Sequence, residues 1–314
     1  LEQAQDLRAE LLARAAGIQS GPDTAAPVAP ERILAQVPPG TLFLSVLLQP
    51  ATLTTLVVVP VVFVTAVVFG IWQVSLPVVF VVAAPIVVAT NQFLNWFNFT
   101  VAESPDGLRL RFGLTSHRHQ TVPPGRVQAV RLESPLLWKP WGWARVTVNV
   151  AGTGGGGEDG SSHPAVVLPV ATLEVARAVL AQALPGVDPF VVPLQPVPPR
   201  ARWRSPLQFR RLAVGSNEEV FVARHGWLVP RWDVVPHART QSVRMTQGPW
   251  QRRLRLASVH VDSTPGPIHI SANQRDETQA RQLVEGQALA ARRARARSAP
   301  DRWLLGGATG SGSS

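Results

Sequence analysis

VPPGRVQAVR (Val122–Arg131) and VPHARTQSVR (Val235–Arg244) agree at six of ten positions, at a separation of 113 residues. The same offset carries the whole of Phe99–Ala151 onto Leu212–Thr264 without a gap, so that Ala144, Val146 and Val148 recur as Ala257, Val259 and Val261. Gly113 and Arg118 likewise recur as Gly226 and Arg231. Beyond a Gly-rich loop the offset falls to 104, where Ala176-Arg177 meets Ala280-Arg281, and the second copy is nine residues shorter there. Self-similarity over so long a period marks one structural unit made twice.

Each copy reads as short strands followed by a helix. In ARVTVNV (Ala144–Val150), Val146, Val148 and Val150 share one face, and Arg145, Thr147 and Asn149 share the other. That period of two is the pattern of a half-buried strand. Residues 171–183 place Leu173, Ala176 and Leu180 at helical spacing, continued by Leu184. DLRAELLA (Asp6–Ala13) repeats that closing helix a third time, within a helical stretch that Gly17 ends. With Leu1 at its start and Met245 as its sole methionine, the chain is expected to be part of a longer protein with at least three copies.

The carrying segments are VPPGRVQAVRLESPLLWKPWGWARVTVNVAG (Val122–Gly152) and VVPHARTQSVRMTQGPWQRRLRLASVHVDS (Val234–Ser263). Both follow R-x-Q-x-V-R, a short apolar or basic link, and a strand of the form G-x-A-x-V-x-V. In this the chain resembles bacterial membrane proteins with pleckstrin-homology (PH)-like domains, of the multi-copy type that adds pairs of transmembrane helices. The resemblance implies strongly bent antiparallel barrels, each capped by a C-terminal helix, and brings no catalytic residues. Arg255 stands where the first copy has Gly142, so the second turn is expected to differ.

Ahead of the first copy, Ile33–Ala102 holds no Asp, Glu, Lys, Arg or His in 70 positions. It contains apolar runs of 19 and 20 residues at Leu53–Ile71 and Leu76–Asn95, close to the roughly 20 that a helix needs to cross a bilayer core. This reads as a two-helix transmembrane hairpin. Thr41–Gln49 is its interfacial elbow, and Trp72–Ser75 its tight turn. Pro60, Pro77 and Pro85 are expected to kink the helices. Basic residues flank the hairpin (Arg32, then Arg109, Arg111 and Arg118) and are absent from the turn, which puts both flanks in the bacterial cytoplasm.

The expected division is therefore a closing helix at 1–19 and a Pro-rich linker at 20–40, then a hairpin at 41–97. A PH-like domain at 98–186, a second linker at 187–206, a second domain at 207–291 and a basic, then Gly/Ser tail at 292–314 follow. The fold class is mostly β (α+β) with membrane helices. The net charge is +10, and Lys139 is the only lysine among 30 basic residues. That balance beside an apolar hairpin suits an anionic membrane surface better than nucleic acid. Without cysteine there are no disulfides, thiol nucleophiles or Cys-based metal sites.

Few motifs point to chemistry. GTGGGG (Gly152–Gly157) satisfies G-x-G-x-x-G, but acidic residues and Pro164 follow where a helix N-terminus should face the phosphates. It reads as a hairpin loop. His117 and His119 flank Arg118 without a third ligand of convincing spacing. No cofactor or metal is expected, and no enzyme activity.

Candidate contacts with lipid or a protein partner fall into three groups. WKPWGW offers Trp138, Lys139, Trp141 and Trp143, either as an interfacial loop or as core packing. The repeated pairs Arg126/Arg239 and Arg131/Arg244 suit phosphate binding or a structural role. Arg202, Arg204, Arg210 and Arg211, with Arg200 and the run Arg292–Arg297, suit membrane-surface contact or plain solvation. The function expected is a non-enzymatic integral membrane protein whose cytoplasmic PH-like domains bind lipid headgroups or protein. The alternative is a scaffold subunit of a membrane complex that works through protein contacts alone.

Overall fold

The structure, a computed structural model, describes residues 32–70, 75–104, 107–114, 118–123, 125–151, 165–184, 186–264 and 266–297. The helix expected at 1–19, most of the first linker, the turn after the first apolar run, the Gly-rich loop and the Gly/Ser tail lie outside these residues.

The chain enters through β1 (Arg32–Gln36), within the stretch expected to be linker. It then leaves as three helices, α1 (Pro39–Leu47), α2 (Pro50–Val68) and α3 (Ser75–Asn95), before returning as β2 (Thr100–Ser104) to pair antiparallel with β1. The helices are thus an insertion inside the first copy, between its first two strands. β3 (Gly107–Phe112) and β4 (Arg118–Val122) complete a sheet of order β1-β2-β3-β4. β5 (Val127–Glu133), β6 (Trp143–Val150), β7 (Ala165–Thr172) and the closing helix α4 (Leu173–Ala183) follow. Helix α4 buries Ala176, Val179, Leu180 and Ala183, whereas Leu173 at its start is exposed.

The second copy repeats the scheme with β8 (Gln195–Pro196), β9 (Ala213–Ser216), β10 (Val220–His225) and β11 (Arg231–Pro236). Then come β12 (Ser242–Thr246), the short helix α5 (Pro249–Arg253), β13 (Leu256–Asp262), β14 (Ile270–Asp276) and the closing helix α6 (Glu277–Arg297). The expected linker at 187–206 thus contains β8 and a 3-10 turn at Pro199–Trp203. Arg292–Arg297 do not form a tail. They continue α6, where Arg295 donates to the Thr240 carbonyl at 2.8 Å.

The two copies share a sheet. β5 of the first pairs antiparallel with β11 of the second, giving a seven-stranded order β7-β6-β5-β11-β10-β9-β8. The apolar cores cross this seam. Val220, Val222 and Val234 of the second copy join the first core, and Ala129 of the first copy joins the second. The seam also explains why β6 is not half-exposed. Thr147 and Asn149, on the face expected to meet water, are buried. The Asn149 side-chain amide donates to the Ile268 carbonyl at 3.0 Å and its oxygen accepts from the Ile268 N–H at 3.2 Å. A Cβ on Gly266 would lie 2.6 Å from Asn149, so that approach needs glycine.

The helices are tied to the first barrel at their root. Leu42 and Val46 of α1 are buried, while Phe43 faces outward. The Trp138 indole, wholly buried, donates to the Ser45 carbonyl at 3.1 Å. Gln49 donates to Gln92 at 3.1 Å, linking the elbow to α3. Thr54, Thr55, Thr65 and Thr90 each return their hydroxyl to a carbonyl four residues back. Pro60 and Pro85 sit inside α2 and α3. Among the described residues no single helix is long and apolar enough to cross a membrane. Pro39–Leu47 and Pro50–Val62, bent by 60°, reach that measure together.

Gly142 and Arg255 close the same turn despite their chemistry. Both are left-handed, at φ 61° and 51°. The N–H of each donates to the carbonyl three residues back, Lys139 and Arg252 respectively, at 3.0 Å. The carbonyl of each receives the first N–H of the closing helix, Leu173 at 2.9 Å and Glu277 at 3.1 Å. The two turns therefore do not differ, and Arg255 holds a conformation that disfavours a Cβ by about 1–2 kcal/mol.

Arg255→Gly is accordingly expected to raise stability by about 1 kcal/mol, read from the shift of a denaturant midpoint. Trp138→Ala should lower it by about 3–5 kcal/mol in the same assay. Trp138→Phe, which keeps most of the volume and loses the bond to Ser45, should fall between wild type and Trp138→Ala.

Candidate functional site

The polar residues of the seam come first, because they decide which arginines remain available. In the β5–β11 register Arg131 faces Asp233, Glu133 faces Arg231 and Leu132 faces Trp232. Arg131 grips Asp233 with two parallel bonds, Nε to Oδ1 at 2.6 Å and a terminal nitrogen to Oδ2 at 2.8 Å. It also reaches the His269 carbonyl at 3.3 Å. Asp233 is fully buried. Burial pulls the Arg131 pKa down, but the hydrogen bond and charge of Asp233 outweigh it, and the net shift is upward. Arg231 adds a bond of 2.8 Å to Glu133. Charge-assisted, two-point bonds of this kind are strong and directional.

His225 lies 3.6 Å from Asp233. Burial lowers its pKa and outweighs the attraction of the carboxylate, with Arg131 and Arg231 pushing the same way as burial. His225 is thus held neutral in the folded protein at neutral pH.

The repeated arginines have separated in role. Arg131 is an inter-barrel bond, whereas its counterpart Arg244 lies exposed on β12 with Asp262 at 3.3 Å. β12 ends its sheet, whose order is β12-β13-β14. Arg239 donates to the Gly125 carbonyl across the seam, and its counterpart Arg126 is exposed. The tryptophans have also parted. Trp138 is core, Trp143 meets it edge-on at 6.3 Å, and Trp141 stacks on Trp143 at 5.2 Å while remaining half-exposed. Lys139 is exposed beside them. Arg145, expected on the wet face of β6, lies instead 4.9 Å and 5.5 Å from the Trp96 and Trp138 ring centres. Burial lowers its pKa.

The second barrel carries the other tryptophan surface. Trp203 and Trp250 are 72% and 68% exposed, and with Arg204, Arg253 and Leu254 they line one open depression. Arg202 lies over the Trp203 ring at 5.3 Å. Arg200 is turned away, bonded to Asp276 and to the Arg255 carbonyl at 3.2 Å. Arg210 sits over Phe209 at 5.7 Å, and Arg211 accepts Arg224 on its carbonyl at 3.0 Å. Sequence reasoning named Arg202 and Arg204 but passed over Trp203 and Trp250. The available signal was that Trp250 aligns with Leu137, directly before WKPWGW of the first copy.

Among the described residues no three His, Cys, Asp or Glu side chains are grouped to hold a metal ion. His119 is exposed on β4, and His117 lies outside the described residues.

Asp233→Ala strands a buried guanidinium and is expected to cost about 3–5 kcal/mol, measured by chemical denaturation. Replacing both partners with apolar residues, Arg131→Met with Asp233→Leu, should recover most of that loss. A second expectation concerns acid. Because the folded His225 pKa is depressed, the unfolded state binds the proton more readily below the ordinary value of 6.5. His225's contribution is present above that pH and is lost as pH falls below it. His225→Gln should flatten the decline in melting temperature over that window.

A sequence model of the family described as Bacterial PH domain matches residues 51–187 and, a second time, residues 190–292. No curated protein matches the chain. The first match begins at the start of α2 and takes in α3, and both matches end near their closing helices.

Proposed function

This chain belongs to the bacterial PH domain family, and we propose that it is a non-enzymatic integral membrane protein. In this reading α2 and α3 form a bilayer-inserted hairpin, and the two fused barrels are held in the cytoplasm beneath it. The barrels then act by contacting lipid headgroups or a protein partner.

One observation carries the membrane assignment. The helices turn apolar side chains outward that no described residue covers, among them Leu56, Val57, Val61, Val64, Val68, Ile86, Val87 and Val88. Contiguous apolar surface on that scale is rare on soluble monomers and marks a surface meant for lipid or protein. Its charge-free composition favours lipid, since each central Arg or Asp disfavours insertion by about 2.5–3.5 kcal/mol. The intrahelical bonds of the Thr54, Thr55, Thr65 and Thr90 hydroxyls suit a medium without water to pair them. Arg109, Arg111 and Arg118 after the hairpin favour the cytoplasmic side for the barrels. The absence of charge from the helices also favours an anchor over an ion or proton path.

The scaffold reading differs in what the barrels touch, and β12 favours keeping it. Among the described residues no strand pairs with the outer edge of β12, the counterpart of the edge that β5 uses to bind β11. Unpaired strand edges are templates for added strands.

The anchor is tested by extraction of native membranes with alkaline carbonate. The wild-type chain should stay in the pellet. Leu56→Arg with Val61→Arg, which adds about 5–7 kcal/mol against insertion, should move most of it to the supernatant. Release of the wild-type chain by carbonate would contradict the anchor.

A further inference from the structure

The two barrels differ in what they insert between their first and second strands. In the first copy this connection, from β1 to β2, carries the helices. In the second copy it runs from β8 to β9 and is the short stretch Val197–Leu212, VPPRARWRSPLQFRRL. Equivalent connections in equivalent barrels thus hold an apolar hairpin in one case and a tryptophan- and arginine-rich stretch in the other. The short helix α5, at the place where the first copy has WKPWGW, brings Trp250 and Arg253 beside that stretch. In the first barrel α1 arrives over the equivalent loop and seals Trp138, while Trp141 beside it stays half-exposed. In the second barrel no helix arrives, and the indoles stay in the open.

We propose that the Trp203–Trp250 depression is a second membrane contact, which adsorbs to the headgroup region of an anionic phospholipid bilayer. The proposal deepens the lipid reading given above and rests on it for the bilayer's being close at hand. Indoles partition to the headgroup layer, ring in the apolar boundary and N–H toward water. Arginine extends its apolar stem along such a surface while its charge meets phosphate. Arg202, Arg204, Arg252 and Arg253 are all exposed, and among the described residues none forms an ion pair. Among the described residues no carboxylate lines the depression. The neighbouring acids are already engaged, Asp276 by Arg200 and Glu277 by Arg281 at 2.7 Å. What remains is two bare indoles in an uncompensated field of positive charge. A protein partner with an acidic surface would answer the charge, but the paired exposed indoles and the equivalence with the helical connection favour a bilayer.

The test uses the full chain reconstituted in nanodiscs, of phosphatidylcholine alone or mixed with phosphatidylglycerol, with brominated acyl chains as quenchers of tryptophan fluorescence. Co-elution with the disc is read first, and its failure sinks the hairpin reading by itself. In discs with brominated phosphatidylglycerol the wild-type chain should be quenched more than Trp203→Phe with Trp250→Phe. That difference should vanish at high salt and in phosphatidylcholine discs. Arg204→Gln with Arg253→Gln leaves both indoles in place and should also abolish it. In flotation with phosphatidylglycerol-containing vesicles, that pair should weaken association of chain that has not entered discs about 30-fold, each arginine contributing about fivefold. Equal quenching of wild type and the double-Phe variant, with unchanged flotation, would overturn the proposal. So would equal quenching differences in both lipids, which would remove the anionic requirement. Protection of the indoles by polyglutamate but not by anionic discs would assign the depression to acidic protein instead, and overturn it as well.

Discussion

A single carboxylate at the seam governs how this protein is built. Asp233 has no exposed surface, and an unpaired carboxylate in such a place would be prohibitively unfavourable. It is tolerated because Arg131, from the other barrel, meets it with two bonds in a fixed plane. The pair therefore acts less as a source of stability than as a registry device. Sliding β5 along β11 by one residue would set Arg131 against a neighbour and leave Asp233 buried without a partner. With that register held, Leu132 meets Trp232, Asn149 reaches Ile268, and valines from each barrel complete the other's core. Two small domains, each with too little interior to be very stable alone, share one.

The fused pair changes what the helices can do. Because they are inserted between β1 and β2, and not appended at a terminus, both of their ends return to one sheet. Trp138 then clamps the elbow α1 to the barrel. Any displacement of the helices is thereby passed to the first barrel, and through β5–β11 to the second. In the proposed membrane setting, this makes the two barrels a rigid body of set orientation and not beads on a flexible string. The position of Trp203 and Trp250 relative to the bilayer would follow from the same rigidity.

Much of this architecture could be read from the chain, and the parts that could not have physical reasons. The repeat exposed the unit, because a strand of alternating valines followed by a helical stripe keeps its periodicity through divergence. β1 stayed hidden, since five residues (RILAQ) carry too short a pattern and their partner lies beyond the helical insertion. The seam was invisible for a different reason. Period-two patterning reports that one face of β6 is apolar, but it cannot tell whether the polar face meets water or another domain. Thr147 and Asn149 look identical in the two cases. A trace did exist in Asp233, which stands where the first copy has Gln120, opposite an arginine that both copies keep. Arg131 and Arg244 look equivalent in sequence, yet their strands face different neighbours. Gly142 and Arg255 mislead in the opposite sense, since the backbone of the turn is set by the hydrogen bonds around it and Arg255 accepts the strain.

The central claim is that the barrels are joined by strand pairing into one folding unit, and native-state hydrogen exchange addresses it directly. The β11 amides that point toward β5 should exchange only through global unfolding, as slowly as those inside β13. The outer amides of β12, on a bare edge, should exchange much faster and serve as the internal standard. If the β11 amides facing β5 exchange at the rate of β12 while β13 stays protected, the barrels are separate domains that only touch, and the account fails.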